Sequence, residues 1–252
     1  MKVMVVFWLS FSLLLPLSGL AEDKVKQSAV TSSETSSASA QTDKVTDRNR
    51  TRYLVAPSSF MLKEGESYLS QSQLLFSSFS YGITDHFTLS ARALLPLWIA
   101  DFQRGFHILP GAKYGWTLNR DWRVATGVET VVIPQEGTLV FPYAGTTYGT
   151  QRRHVTVNLG QPFKFDTSEF EAARFFLVSI NGNVWLSEHM RLVTENWVLY
   201  FDSVNVDLRT LFSLAMRFQG QQFATDLGLA IMGDGANLSS IPLPWLDFTY
   251  NF

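Results

Sequence analysis

The chain has 252 residues, a formal charge of -2 at pH 7 and no cysteine. A balance so near neutrality gives no footing for nucleic acid, and the absent thiols exclude disulfides, thiolate metal sites, cysteine nucleophiles and a lipid-anchored cysteine. Aromatic residues reach 14% while mean hydropathy stays at +0.06, far below a bundle of membrane helices and suited to strands on which every second residue is polar.

Residues 1–21 read as a secretory signal peptide. Lys2 gives the positive start, Val3 to Leu17 the apolar run and Gly19-Leu20-Ala21 the small-residue cleavage pattern. Pro16 and the shortness of that run argue against a permanent spanning helix. Residues 22–50 are rich in Ser and Thr, carry scattered charge and hold almost no large apolar side chain. Such a stretch cannot bury enough surface to offset chain entropy, so a disordered periplasmic tail is expected. The folded part is then 51–252.

From Thr51 onward alternation outweighs any helical period. Arg52 to Phe60 is a candidate first strand, weakened by Pro57, and Tyr68 to Tyr81 is the second. Phe87, Leu89, Ala91, Ala93, Leu95 and Leu97 share a face opposite Thr88, Ser90 and Arg92; Ala112, Tyr114 and Trp116 oppose Lys113, Gly115 and Thr117. Strands follow over Trp122 to Ile133, Leu139 to Tyr148 (interrupted by Pro142), His154 to Leu159 and Phe176 to Val184. Met190 to Phe201 is less clean. Arg191 and Glu195 share a parity with Val193 and Trp197, which predicts a bulge or a mixed face. Arg209 to Phe218 and Phe223 to Ile231 alternate again.

Short polar turns at Gly82 to Asp85, Asn119 to Asp121, Ser187 to His189 and Gly220-Gln221 take turns with longer loops near Asp101, Pro134, Lys164 and Asn237. The pattern predicts an all-β fold: a transmembrane antiparallel up-and-down β-barrel of about twelve strands, with both chain ends on the short-turn side. A soluble sandwich alternates too. These strands run longer than the globular mode, however, and keep one face apolar almost throughout.

The last stretch, Pro244 to Phe252, places Leu246, Phe248, Tyr250 and Phe252 on one face and Trp245, Asp247, Thr249 and Asn251 on the other. A final aromatic wall has a reason to exist where it meets lipid and the membrane edge. This segment resembles the terminal strand of bacterial outer-membrane β-barrels. The resemblance implies that Leu246, Phe248, Tyr250 and Phe252 form the signal read by the barrel assembly machinery. It also implies contact with outer-membrane lipid and lipopolysaccharide. It implies no substrate and no cofactor.

On the clean strands the charges fall on the non-lipid parity: Arg92, Lys113, Arg123, Glu129, Arg209, Arg217, Asp226 and Asp247. Facing the bilayer midplane would cost an Arg or Lys roughly 2–4 kcal/mol, so they are expected to line the lumen. There they form either an ion-pair network or a weakly cationic pore lining that favours small anions. Counting about the Gly220 turn sets Arg217 nearly opposite Asp226.

Enzyme chemistry has little to stand on. The imidazoles are His86, His107, His154 and His189; the first and last fall in turns, and no Gly-x-Ser-x-Gly elbow is present. No His/Asp/Glu grouping has metal-site spacing. The expectation is a narrow passive pore or small-solute transporter, against a sealed structural or adhesive barrel acting through its outer loops and, third, a lipid-modifying barrel enzyme.

Overall fold

The computed structural model describes Asp47, residues 49–73, 76–94, 108–133, 137–165, 170–172, 175–201, 207–234, 237–238 and 242–252. The expected signal peptide (1–21), most of the expected tail (22–46), the predicted loop at 101–105 and residues 134–136 lie outside the described residues.

The alternating segments become antiparallel strands. They are β1 (Ser67–Ser72), β2 (Phe76–Thr84), β3 (Phe87–Leu94), β4 (Ile108–Thr117), β5 (Trp122–Ile133), β6 (Gly137–Thr150) and β7 (Arg153–Gly160). After the short β8 (Phe163–Phe165) and β9 (Phe170–Ala172) come β10 (Phe175–Trp185), β11 (Met190–Phe201), β12 (Asp207–Gln219), β13 (Phe223–Asp234), the short β14 (Asn237–Leu238) and β15 (Leu243–Asn251). Setting β8, β9 and β14 aside, each strand pairs with the next along the chain, and β15 pairs with β1. Twelve strands therefore close into a barrel with no free edge, which is how a sheet satisfies its backbone in lipid. The three short strands lie outside this circuit: β8 and β9 extend the outer part of β6, and β14 folds back on β13.

The outward face is apolar. Phe79, Leu89, Val157, Leu159, Leu214, Leu227 and Leu229 are all exposed on it. Near the short turns the exposed face becomes aromatic, with Tyr114 against Trp116, Trp122 against Tyr148 and Tyr250 against Phe252 at ring separations of 4.6, 4.9 and 5.0 Å. That is a membrane-interface girdle. The short turns and the first and last strand ends share this side, so it is the periplasmic end by the barrel rule.

Two differences from the pattern expected of the sequence cancel in the strand count. The candidate strand Arg52 to Phe60 is not part of the barrel wall; it sits inside. Its ladder contact is the bridge between Arg52 and Pro57, closed by Tyr53 N–H donating to Ala56 O. The long candidate strand Tyr68 to Tyr81 is two strands, broken after Gln73, whose φ of 54° turns the chain back. Of the bulge or mixed face expected over Met190 to Phe201, the structure has the mixed face. β11 runs in unbroken register against β10 and β12. Its inward face mixes Arg191, Val193, Glu195 and Trp197 because what it meets there is folded protein, which offers apolar and polar partners side by side.

Candidate functional site

The inserted segment, residues 47–62, enters from the periplasmic end, makes a tight reversal at Tyr53 to Ala56 and returns toward β1. Asp47, Asn49, Arg50, Tyr53, Leu54, Ala56, Phe60 and Leu62 are all buried. The boundary expected between tail and barrel at residue 50 thus falls within this plug.

Its grip on the wall is mostly polar. The backbone N–H groups of Leu54, Val55 and Ala56 all donate to Glu195 Oε2, at 2.9, 2.8 and 2.8 Å. Successive amides turned toward one oxygen form a concave anion site. The other oxygen, Oε1, accepts from Trp197 Nε1 at 2.7 Å. The opposite arrangement occurs on β4, where Lys113 Nζ donates to the carbonyls of Thr51, Ser58 and Phe60 at 3.1, 3.1 and 2.8 Å. An ammonium and a carboxylate from opposing walls therefore satisfy backbone groups that a loop inside a barrel could not otherwise pair.

Arg217 and Asp226 face each other across β12 and β13 and bond bidentately, Nε to Oδ1 and Nη2 to Oδ2, both at 2.7 Å. Arg217 Nη2 also donates to Tyr53 O at 2.7 Å. Within the plug, Arg52 reaches Asp247 Oδ1 and Thr249 Oγ1 at 2.7 Å each. Asp47 pairs with Arg191, Tyr53 Oη meets Thr156 Oγ1 at 2.7 Å, Ser59 N–H donates to Thr147 Oγ1 at 2.8 Å and Asn158 donates to Pro57 O at 2.9 Å. The wall thus holds the plug from β4, β6, β7, β11, β12 and β15. A small apolar core of Tyr53, Leu54, Ala56, Val193 and Ala215 sits at the centre, with Trp197 and Trp245 packed against it.

Where the plug leaves the bore, Arg50 pairs with Glu66, which also accepts from Lys63 N–H at 2.9 Å. Burial alone would raise the Glu66 carboxyl; the Lys63 amide and the Arg50 guanidinium outweigh it and hold the group below its ordinary value. Gly82 is required beside this exit, because a Cβ there would run into Lys63 O.

The eight lumen charges expected from parity therefore divide. Lys113, Arg217, Asp226 and Asp247 are buried and committed to the plug or to each other. Arg123 lies over the Phe60 ring at 4.4 Å and donates to the turn carbonyls of Gly149 and Arg120. Arg92 and Glu129 pair with each other at 3.3 Å, each about one quarter exposed, on the outer side of the plug. Arg209 is exposed near the outer end of β12, in register with Asp234. The terminal residues Leu246, Phe248, Tyr250 and Phe252 are exposed on the outward wall. Glu195 and Arg191 are the residues that parity alone passes over. Their charge amid apolar neighbours on β11 is the available signal.

Of the histidines, His86, His154 and His189 each place Nδ1 against a carbonyl, those of Gly115, Thr150 and Gln219. His154 is also buried between the rings of Tyr53 and Phe60. Among the described residues no group of three His, Cys, Asp or Glu side chains could hold a metal ion.

Beyond the plug the inward face changes character. Two residues outward of Glu195 lies Trp197, then Leu199; outward of Arg217 and Ser213 lies Leu211; outward of Asp226 lies Met232; outward of Asp247 lie Trp245 and Leu243. Alternation puts each on the same face as the buried polar residue of its own strand.

A closed barrel of twelve strands with an apolar outer belt and an aromatic periplasmic girdle is a porin-like outer-membrane β-barrel. Among solved structures, the chain is similar to a KdgM porin in complex with disordered oligogalacturonate, at 12% identity and a TM-score of 0.50. That match covers 74% of this chain and 98% of the other. It is also similar to the NanC porin (9% identity, TM-score 0.49, 74% and 97% covered) and to a loop-deletion form of OmpT of Vibrio cholerae (10%, 0.44, 70% and 62%). At such identity what is shared is the fold alone. No family model and no curated protein matches the chain.

Proposed function

We propose that this chain is a passive outer-membrane transport barrel, shut at its periplasmic end by residues 47–62 and opened when that segment leaves the bore. The observation that carries this reading is how the plug is held: by hydrogen bonds and ion pairs to lumen side chains on half of the wall strands, with a small apolar core. Such bonds each contribute roughly 0.5–1.5 kcal/mol net, more where one partner is charged. Water entering from the periplasmic mouth can replace them nearly in kind. No such replacement exists for a wall strand in lipid, so the plug can leave while the barrel stays closed on itself. On this reading the chain is exported through a cleaved signal at 1–21, its terminal Leu246, Phe248, Tyr250 and Phe252 are read by the assembly machinery, and its outer surface meets lipopolysaccharide.

The test is conductance of refolded full chain in a planar bilayer beside a variant lacking residues 47–62. The full chain should be closed with brief openings, and the deletion should give steady steps. A deletion variant that folds, by its far-ultraviolet β signal, and passes no current would overturn the transport reading. That outcome would favour a sealed barrel acting through its outer loops, a reading that the complete burial of Arg191 and Arg217 also supports.

A further inference from the structure

The outer half of the bore is built unlike a passage for hydrophilic solutes. On β11, β12, β13 and β15 the inward face carries a buried polar residue beside the plug and then, toward the outside, apolar ones: Trp197 and Leu199, Leu211, Met232, Leu243 and Trp245. Charge returns at the rim, where Arg209 and Asp234 stand in register. The register makes the apolar residues neighbours, with Trp197 opposite Leu211 and Leu211 opposite Met232. Trp197 and Trp245 close over the plug's core, but the wall beyond them is not packed away. Met232 and Leu243 are 52% and 45% exposed, although they point into the barrel rather than at lipid. Below them the plug closes the floor, with the tip residue Val55 still 42% exposed.

Among the described residues, the charged groups on the inward face between the plug and the rim are Arg92 and Glu129. Arg92 and Glu129 meet at a single 3.3 Å contact, Glu129 Oε2 is buried without a partner, and Trp245 Nε1 is a buried donor with none. Apolar walls with a few polar groups, the quarter-exposed Arg92 guanidinium among them, describe a small-molecule site. Arg92, held by one 3.3 Å contact, has further donors to offer a ligand acceptor.

We propose that this outer chamber binds a small amphiphile with an aliphatic or aromatic body and one polar, hydrogen-bond-accepting head. The occupant is a small molecule because the wall that surrounds the site is a closed twelve-strand barrel with a floor. The body lies along the Trp197, Leu211 and Met232 wall, and the head is taken by the sparse polar groups at the floor. For what becomes of the bound molecule this rests on the transport reading; for occupancy it does not.

The test is tryptophan quenching of the full chain in phosphatidylcholine nanodiscs by 10-bromodecanoate below its micelle concentration. Bromine quenches on contact, and Trp197 and Trp245 lie between the plug's core and the chamber while Trp116 and Trp122 face lipid. We expect a saturable component over a linear background from probe dissolved in lipid. Unbrominated decanoate should compete it away, and maltose should not. Trp197→Phe with Trp245→Phe should abolish it through loss of the reporters, and Leu211→Gln should weaken half-saturation at least tenfold. Should Leu211→Gln fail to fold, Leu243→Gln near the rim gives the same reading with less disturbance. Quenching that is linear throughout, or a saturable component unchanged by both glutamine variants, overturns the proposal. Failure here and failure of transport are separable. Saturable binding in a barrel that never conducts keeps the chamber and loses the passage, whereas steady conductance after plug removal without saturable quenching does the reverse.

Discussion

Glu195 shows how much one side chain can decide. Three consecutive amides converge on one of its oxygens, and hydrogen bonds to a charged acceptor are worth roughly 1.5–3 kcal/mol each. Glu195→Gln keeps the shape and removes the charge, so the open fraction in a bilayer should rise on the order of 10- to 100-fold, while barrel melting changes little. Glu66 adds a pH dependence. Its carboxyl is held below the ordinary value by the Lys63 amide and Arg50 against the opposing effect of burial. The stabilisation is therefore complete above the unfolded pKa and lost as pH falls through the lower, folded one. Acidification below about pH 4.5, the ordinary value for this carboxyl, should loosen the plug exit, and openings counted against pH should lose that acid-sensitive component in Glu66→Gln. Of these two residues, parity exposes only the oddity of Glu195. Nothing in the sequence ties Glu66 to Arg50, because their contact needs the plug to turn back at the barrel mouth.

At the scale of elements, each strand has one face for lipid and one for the interior, and the two tolerate different errors. Leu229 is outward near the middle of β13 and 51% exposed. Leu229→Arg should cost roughly 2–4 kcal/mol, read as a lower denaturant midpoint for unfolding from lipid. Inward, Arg217 and Asp226 are a fully buried pair. Breaking one partner of such a pair costs roughly 3–5 kcal/mol, whereas replacing both by apolar residues of similar volume can be near neutral. Asp226→Asn should therefore destabilise more than the double change Arg217→Met with Asp226→Leu, which equilibrium unfolding of the three proteins would measure. This pairing is legible in the residue order alone, since two strands joined by a tight turn fix their own register. The break at Gln73 is not. A left-handed residue without glycine leaves no compositional mark, so Tyr68 to Tyr81 reads as one strand.

For the whole molecule, closure of the sheet converts a list of amphipathic strands into a wall with an inside, and what fills that inside sets the function. Deleting 47–62 removes contacts to the lumen but no strand pairing, so the shortened chain should still resist unfolding as a barrel while its conductance changes from intermittent to steady. The sequence by itself determined the barrel, its outward belt, the side of the sheet to which charge must go and the aromatic end of β15. All of these follow from a two-residue period and the cost of charge in hydrocarbon, both local rules. Only the tertiary structure decided what the inward charges face. Alternation says that Lys113, Glu195 and Arg217 point away from lipid, but it cannot distinguish water from a folded segment on the other side. That segment mixes polar and apolar residues with no period of its own. It finds its place through single hydrogen bonds to residues as far as 200 positions away, a relation that no window of sequence contains.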